Sequence, residues 1–143
     1  MNKESIMLSY LDALHRGATE EIIALFAPDG IVESPLYGTV EASRFYREVA
    51  SDTSNSELEL KNLFLSHDDS ASGAMQFLYR WTMKSGAIVA FNCIDVFEFE
   101  GEPPLIKKLT IVYDTYPVHE SFSALKKTWQ PHLVGHSSWP LAA

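Results

Sequence analysis

An aspartate stands where the chain otherwise places apolar side chains. From Phe91 onward the odd positions are Phe91, Cys93, Asp95, Phe97 and Phe99, while the even ones include Asn92, Glu98 and Glu100. A strand with two-residue alternation therefore puts Asp95 on the apolar face. An ionised carboxylate there is costly, because burial disfavours the charged form and raises the pKa by up to about 3–5 units. A neutral acid at that position can donate a hydrogen bond. The alternatives are a structural polar group satisfied by its neighbours, or a bulge that turns Asp95 outward. Tyr10 is the second candidate: Ile6, Met7, Tyr10, Leu11 and Leu14 form one apolar stripe at helical spacing, and a phenol on such a stripe needs a polar partner. Simple packing accounts for a tyrosine there as well.

The remaining reactive side chains are scattered. His132 and His136 lie four apart, but Pro131 and Gly135 argue against a helix that would bring them together, so no metal site is expected. The one cysteine, Cys93, cannot form an internal disulfide. The chain contains no Gly-rich phosphate loop, no Ser-His-Asp elbow and no dinucleotide fingerprint.

These residues need elements to hold them. The stripe predicts a helix over 3–16, ended by Gly17, and Thr19 reads as the N-cap of a second short helix that buries Ile22, Ile23, Leu25 and Phe26. Pro28-Asp29-Gly30 breaks it, a short strand runs from Ile31 to Ser34, and Pro35 to Gly38 forms a turn. A third helix is expected from Thr39, with Ala42, Phe45, Tyr46 and Val49 on one face, fading into a polar loop over 51–56. From Glu57 the period changes from 3.6 to 2. Strands are expected over 58–66, across Met75 to Met83, over 87–100 and over 105–116, with a hairpin turn at Ser85-Gly86. Ser121 to Gln130 reads as a last helix with Phe122, Leu125 and Trp129 on one side. Helices first and an antiparallel meander after them make the fold α+β, a curved sheet with helices on one face.

The 143 residues suit a single domain, 1–143, with 117–143 as a C-terminal extension that packs on the domain or on a second subunit. Eleven Lys and Arg against nineteen Asp and Glu give a net charge of −8, which lacks the positive footprint that nucleic acid requires. No apolar run approaches a membrane span and the polar start is no signal peptide, so a cytoplasmic protein without nucleic-acid or membrane partners is expected.

One stretch, Leu25-Phe26-Ala27-Pro28-Asp29-Gly30-Ile31-Val32-Glu33-Ser34-Pro35, followed by Gly38 and by Phe45-Tyr46, resembles the opening half of ketosteroid isomerases and SnoaL-like polyketide cyclases of the nuclear transport factor 2-like superfamily. Gly73 to Phe77 and Cys93-Ile94-Asp95-Val96 continue the likeness in the same order, so it spans about residues 3–116. The resemblance implies a cone, a bent sheet wrapped on helices around an apolar pocket. It also implies that Tyr10 stands at the oxyanion-hole tyrosine and Asp95 at the neutral aspartic acid beside it, a pairing for which ketosteroid isomerase is the reference case. The family's aspartate base falls on Ser34, and a serine hydroxyl without an activating partner is a poor base. Glu33 and Asp114 are the nearest carboxylates, and strand alternation turns both away from the pocket.

The pocket is accordingly expected to be lined by Phe26, Met75, Phe77, Trp81 and Phe91, together with Cys93, Leu109 and Tyr113, around Tyr10 and Asp95. The function so implied is a cofactor-independent isomerase-like or cyclase-like enzyme acting on a steroid-like or polyketide-like carbonyl compound. A non-catalytic binding protein for the same class of small molecule needs no base and stays open as the alternative. A homodimer is expected from Leu78, Ile94, Val96 and Val112, which alternation places on the outer sheet face.

Overall fold

The computed structural model describes residues 1–68 and 71–127. Helix α1 (Lys3–Arg16) starts where Asn2 caps it: the Asn2 side chain accepts from the Ser5 amide at 2.8 Å, and the Ser5 hydroxyl accepts from the Asn2 amide at 3.0 Å. Its stripe of Ile6, Met7, Tyr10, Ala13 and Leu14 is buried. Helix α2 (Thr19–Ala24) is shorter than its apolar residues suggested. Thr19 is its first helical residue, and the cap position is taken by Ala18, which makes no side-chain bond.

Phe26 does not belong to α2. It opens strand β1 (Phe26–Ser34), and Pro28-Asp29-Gly30 is a bulge within this strand rather than a break before it. A proline has no N–H for a ladder, so a bulge is where a strand tolerates one. Gly30 fits because the chain closes on itself there: a Cβ at this position would lie 3.0 Å from the carbonyl oxygens of both Ala27 and Ile106. The turn over 35–37 then leads into a short edge strand, β2 (Gly38–Glu41), so the third helix starts later than expected, as α3 (Ala42–Asp52). Most of the segment expected as a polar loop after it already belongs to strand β3 (Thr53–Leu65), because it pairs with the next strand, with register shifts at Thr53/Asn55 and Leu60/Asn62.

Strands β4 (Ser72–Met83), β5 (Ile88–Glu100) and β6 (Leu105–Val112) complete a six-stranded sheet in the order β2-β1-β6-β5-β4-β3. The meander β3 to β6 is antiparallel, but β1 runs parallel to β6, so the curved sheet is mixed and not wholly antiparallel. Alternation along β1 cannot disclose this, since the partner is seventy-odd residues away in the chain. The helices cover one face. Helix α1 approaches β4 so closely that a Cβ on Gly73 would sit 2.9 Å from the Met7 sulfur, and this contact sets the depth at which Tyr10 enters the core. The last elements among the described residues are a single 3-10 turn (Tyr116–Val118) and helix α4 (His119–Leu125), which ends short of the expected Gln130. Trp129, His132, His136, Trp139 and the expected docking of the tail lie outside the described residues.

Candidate active site

Asp95 keeps the apolar register of β5. It pairs with Met75 on one side and Ile111 on the other without a local bulge, and it is 1% exposed. Tyr10 from α1 is equally buried, and its hydroxyl lies 2.6 Å from the hydroxyl of Tyr46 on α3. The Cys93 thiol donates to the Asp95 carboxylate at 3.2 Å, and the Tyr10 hydroxyl also acts on that carboxylate. Three elements that are far apart in the chain thus bring two phenols, a thiol and a carboxyl to one point.

Burial dominates the electrostatics. Desolvation pushes the Asp95 carboxyl up to about 7, against the downward pull of its bonds to Cys93 and Tyr10. Desolvation likewise raises Tyr10 and Tyr46 well above the ordinary phenol value, so both hydroxyls stay protonated donors at neutral pH. Cys93 is raised by burial and then by the nearby Asp95, which keeps it a thiol. A group of protonated donors beside an acid that titrates near neutrality suits the stabilisation of developing negative charge and the transfer of a proton.

This cluster lies on the wall of a largely apolar cavity of about 60 Å³ that opens to solvent at its mouth. Phe77, Trp81, Phe91, Cys93 and Tyr113 line it with Tyr10 and Asp95. Phe91 and Tyr113 stack there at 4.1 Å between ring centroids, and the Trp81 indole donates to the Thr53 hydroxyl at 2.8 Å. Three residues expected on this wall are elsewhere. Phe26 packs behind Tyr46, with ring centroids 5.6 Å apart, while Met75 and Leu109 are fully buried in the core, Met75 facing Asp95 across the ladder and Leu109 beside Phe97. Being on the inward face of the sheet brings a side chain to the core; only the curvature and the helices decide which part of that face borders the cavity.

Ser34 does line the cavity, at the end of β1. Its hydroxyl oxygen accepts from the amides of Leu36 and Tyr37 at 3.2 and 3.1 Å, a serine turn. With its lone pairs so engaged, the hydroxyl is left to donate and is no proton acceptor. Neither neighbouring carboxylate replaces it. Glu33 points outward to Lys108 at 3.0 Å, and Asp114 is exposed and accepts from the Tyr116 amide at 3.1 Å. Among the described residues Asp95 is the one carboxyl group on the cavity wall.

Tyr46, Tyr37 and Tyr79 are wall residues that reading the chain did not single out. Tyr46 carries the same signal as Tyr10, a phenol on an apolar helix stripe, which packing alone also explains. Burial raises Tyr79 to about 12, and its hydroxyl pairs with Ser56 at 2.9 Å. Tyr37 donates to the buried Asp52 carboxylate at 2.8 Å.

A family model for the SnoaL-like domain matches residues 8–103. A comparison with curated proteins finds no match. Among solved structures, the chain is similar to a nuclear transport factor 2-like protein of unknown function from Burkholderia pseudomallei, with 19% identity and a TM-score of 0.69 over 87% of this chain and 97% of that one. It is also similar to a protein with a ketosteroid isomerase-like fold from Catenulispora acidiphila, in complex with trimethylamine, with 16% identity and a TM-score of 0.69 over 84% and 92% of the two chains. A cystatin-like fold from Methylobium petroleophilum aligns with 17% identity and a TM-score of 0.64 over 77% and 74%. Likenesses at these identities speak for the fold. With two thirds of its length matched by the family model, the chain belongs to the SnoaL-like domain family, and its helices laid against one face of a curved sheet give it the nuclear transport factor 2-like fold.

Proposed function

We propose that the cavity binds a hydrophobic carbonyl compound, steroid-like or polyketide-like, with its oxygen at the Tyr10, Tyr46 and Asp95 cluster, and that the protein enolises it. The observation that carries this reading is the placement of a carboxyl group and two phenol hydroxyls, 2.6 Å apart, on the wall of a largely apolar cavity. Donors so placed stabilise an enolate oxygen as charge develops, each by about 2.7–4 kcal/mol in comparable oxyanion holes. Tyr10 and Tyr46 turn their hydroxyls to the ligand oxygen. Ser34 donates and does not abstract, so Asp95, in the fraction of molecules in which it is ionised, takes the proton from the carbon next to the carbonyl and returns it, while the phenols hold the enolate oxygen.

Hydrogen–deuterium exchange at the carbon next to the carbonyl of a bound ketone, followed by NMR, tests the proposal. Wild-type protein is expected to catalyse it, and Asp95→Asn to abolish it while keeping binding. Binding by wild type without exchange supports the second reading, a non-catalytic binder of hydrophobic ligands, which the engaged lone pairs of Ser34 favour.

A further inference from the structure

Helix α4 carries two side chains that reach the cavity wall from behind. Phe122 is 1% exposed, and its ring meets Tyr37 edge-on at 5.2 Å and Trp81 at 6.1 Å, both of which border the cavity. One turn further on, the Lys126 ammonium lies 2.9 Å from Glu48 and 2.9 Å from Asp52, both on α3, and 5.9 Å from the centre of the Tyr37 ring. Asp52 is 7% exposed and also accepts the Tyr37 hydroxyl. Lys126, Asp52 and Tyr37 therefore form a chain of contacts from the last helix to the ligand space.

The helix has little stability of its own. It spans seven residues, has no side-chain cap at its N-terminus, and follows a single 3-10 turn. A helix of that length does not persist in water without tertiary contacts. Elements held by few contacts open at far lower free energy than the central strands of a sheet. The sheet around Asp95 and the helix behind Tyr37 thus belong to different stability classes, and the helix backs two residues of the cavity wall, Tyr37 and Trp81.

We propose that α4 is a gate behind the cavity wall, held shut by the Lys126 ammonium on the Glu48 and Asp52 carboxylates, and that ligand passes when this latch opens. Release of Lys126 frees Asp52 and Tyr37 together, and withdrawal of Phe122 removes the support behind Tyr37 and Trp81. The proposal rests on the reading that the cavity takes a ligand, but its test needs none. Cys93 is the sole cysteine of the chain and lies in the cavity wall, so its rate of reaction with a neutral disulfide such as 4,4′-dithiodipyridine reports access to the cavity.

Lys126→Met, which keeps the aliphatic stem and removes the charge, is expected to speed Cys93 labelling about tenfold at constant pH, the scale of one partly buried charge-assisted contact. Lys126→Arg is expected to label at close to the wild-type rate. In wild-type protein, raising the ionic strength from about 0.05 to about 0.5 M is expected to speed labelling by screening the latch. All these rates should be insensitive to low urea, since local opening exposes little surface. Labelling of Lys126→Met at the wild-type rate overturns the gate, and so does a rate that climbs with urea in step with global unfolding. A hydrophobic ketone or phenol that fails to slow labelling counts against the ligand reading and leaves the result for the latch standing.

Discussion

The hydroxyls of Tyr10 and Tyr46 meet at 2.6 Å inside the core, one from the first helix and one from the third, with the Tyr10 ring edge-on to that of Tyr46. Both residues are buried, and each hydroxyl takes the other as a hydrogen-bond partner. Tyr10 is also held edge-on by Phe97 at 5.2 Å, which leaves its ring no freedom to seek another partner. The pair joins α1 to α3 above Asp95 and fixes the direction in which the donors point.

Removing one member takes a buried partner from the other. Tyr10→Phe and Tyr46→Phe are each expected to lower the stability by about 1–3 kcal/mol, the usual cost of a buried polar group deprived of its partner. The double variant should cost clearly less than the sum of the two. Urea denaturation of the four proteins checks this; additive losses mean that the two hydroxyls do not depend on each other.

The pH dependence of stability follows from Asp95. Its folded-state pKa of about 7 lies above the ordinary carboxyl value of 3.8, so between these limits the folded protein binds more protons than the unfolded one. The contribution is fully present below about pH 4 and is lost as pH rises through about 7. At about 1.4 kcal/mol per pH unit, the loss between pH 4 and pH 8 is on the order of 4 kcal/mol. Asp95→Asn removes the group and should flatten that part of the profile, measured as the urea midpoint against pH. A wild-type profile that rises from pH 4 to pH 8 by more than the Asn variant's refutes the buried neutral acid.

Ser34→Asp should increase catalysed exchange of a bound ketone. The two amides that Ser34 now accepts from can hold one carboxylate oxygen, leaving the other toward the cavity. A general base contributes about 10²–10⁴-fold. Those same amides hold a carboxylate's pKa down, which places the gain toward the lower end of that range. NMR exchange rates for both proteins on one ketone decide the matter, and no gain in a variant that still binds the ketone means that the ligand lies in a different pose.

The outer sheet face presents Ile94, 40% exposed, against Val112, 52% exposed, with Leu78 and Val96 partly covered beside them. A patch of this kind is suited to a second copy of the chain. Light scattering at micromolar concentration is expected to give a dimer, and Val112→Lys a monomer. A wild-type monomer removes the expectation.

Much of this protein is legible along the chain because alternation is a local property. The period-2 pattern of β4 and β5 places Phe77, Trp81, Phe91, Cys93 and Asp95 on one face, and the stripe of α1 does the same for Tyr10, whatever the rest of the fold does. Asp95 was conspicuous for the same reason: a carboxyl among aromatic residues in strict register is a contradiction that only burial or a bulge resolves, and the ladder shows no bulge there. Tertiary structure decided the rest. That Tyr46 and not only Tyr10 serves Asp95 depends on how α3 lies across α1, and no spacing within either helix encodes an angle between them. That Phe26, Met75 and Leu109 fill the core while Tyr37 and Ile111 border the cavity depends on the curvature of a sheet whose β1 and β6 pair in parallel across most of the chain. Local sequence determines which way a side chain faces, and only the closure of distant strands and helices determines what it faces.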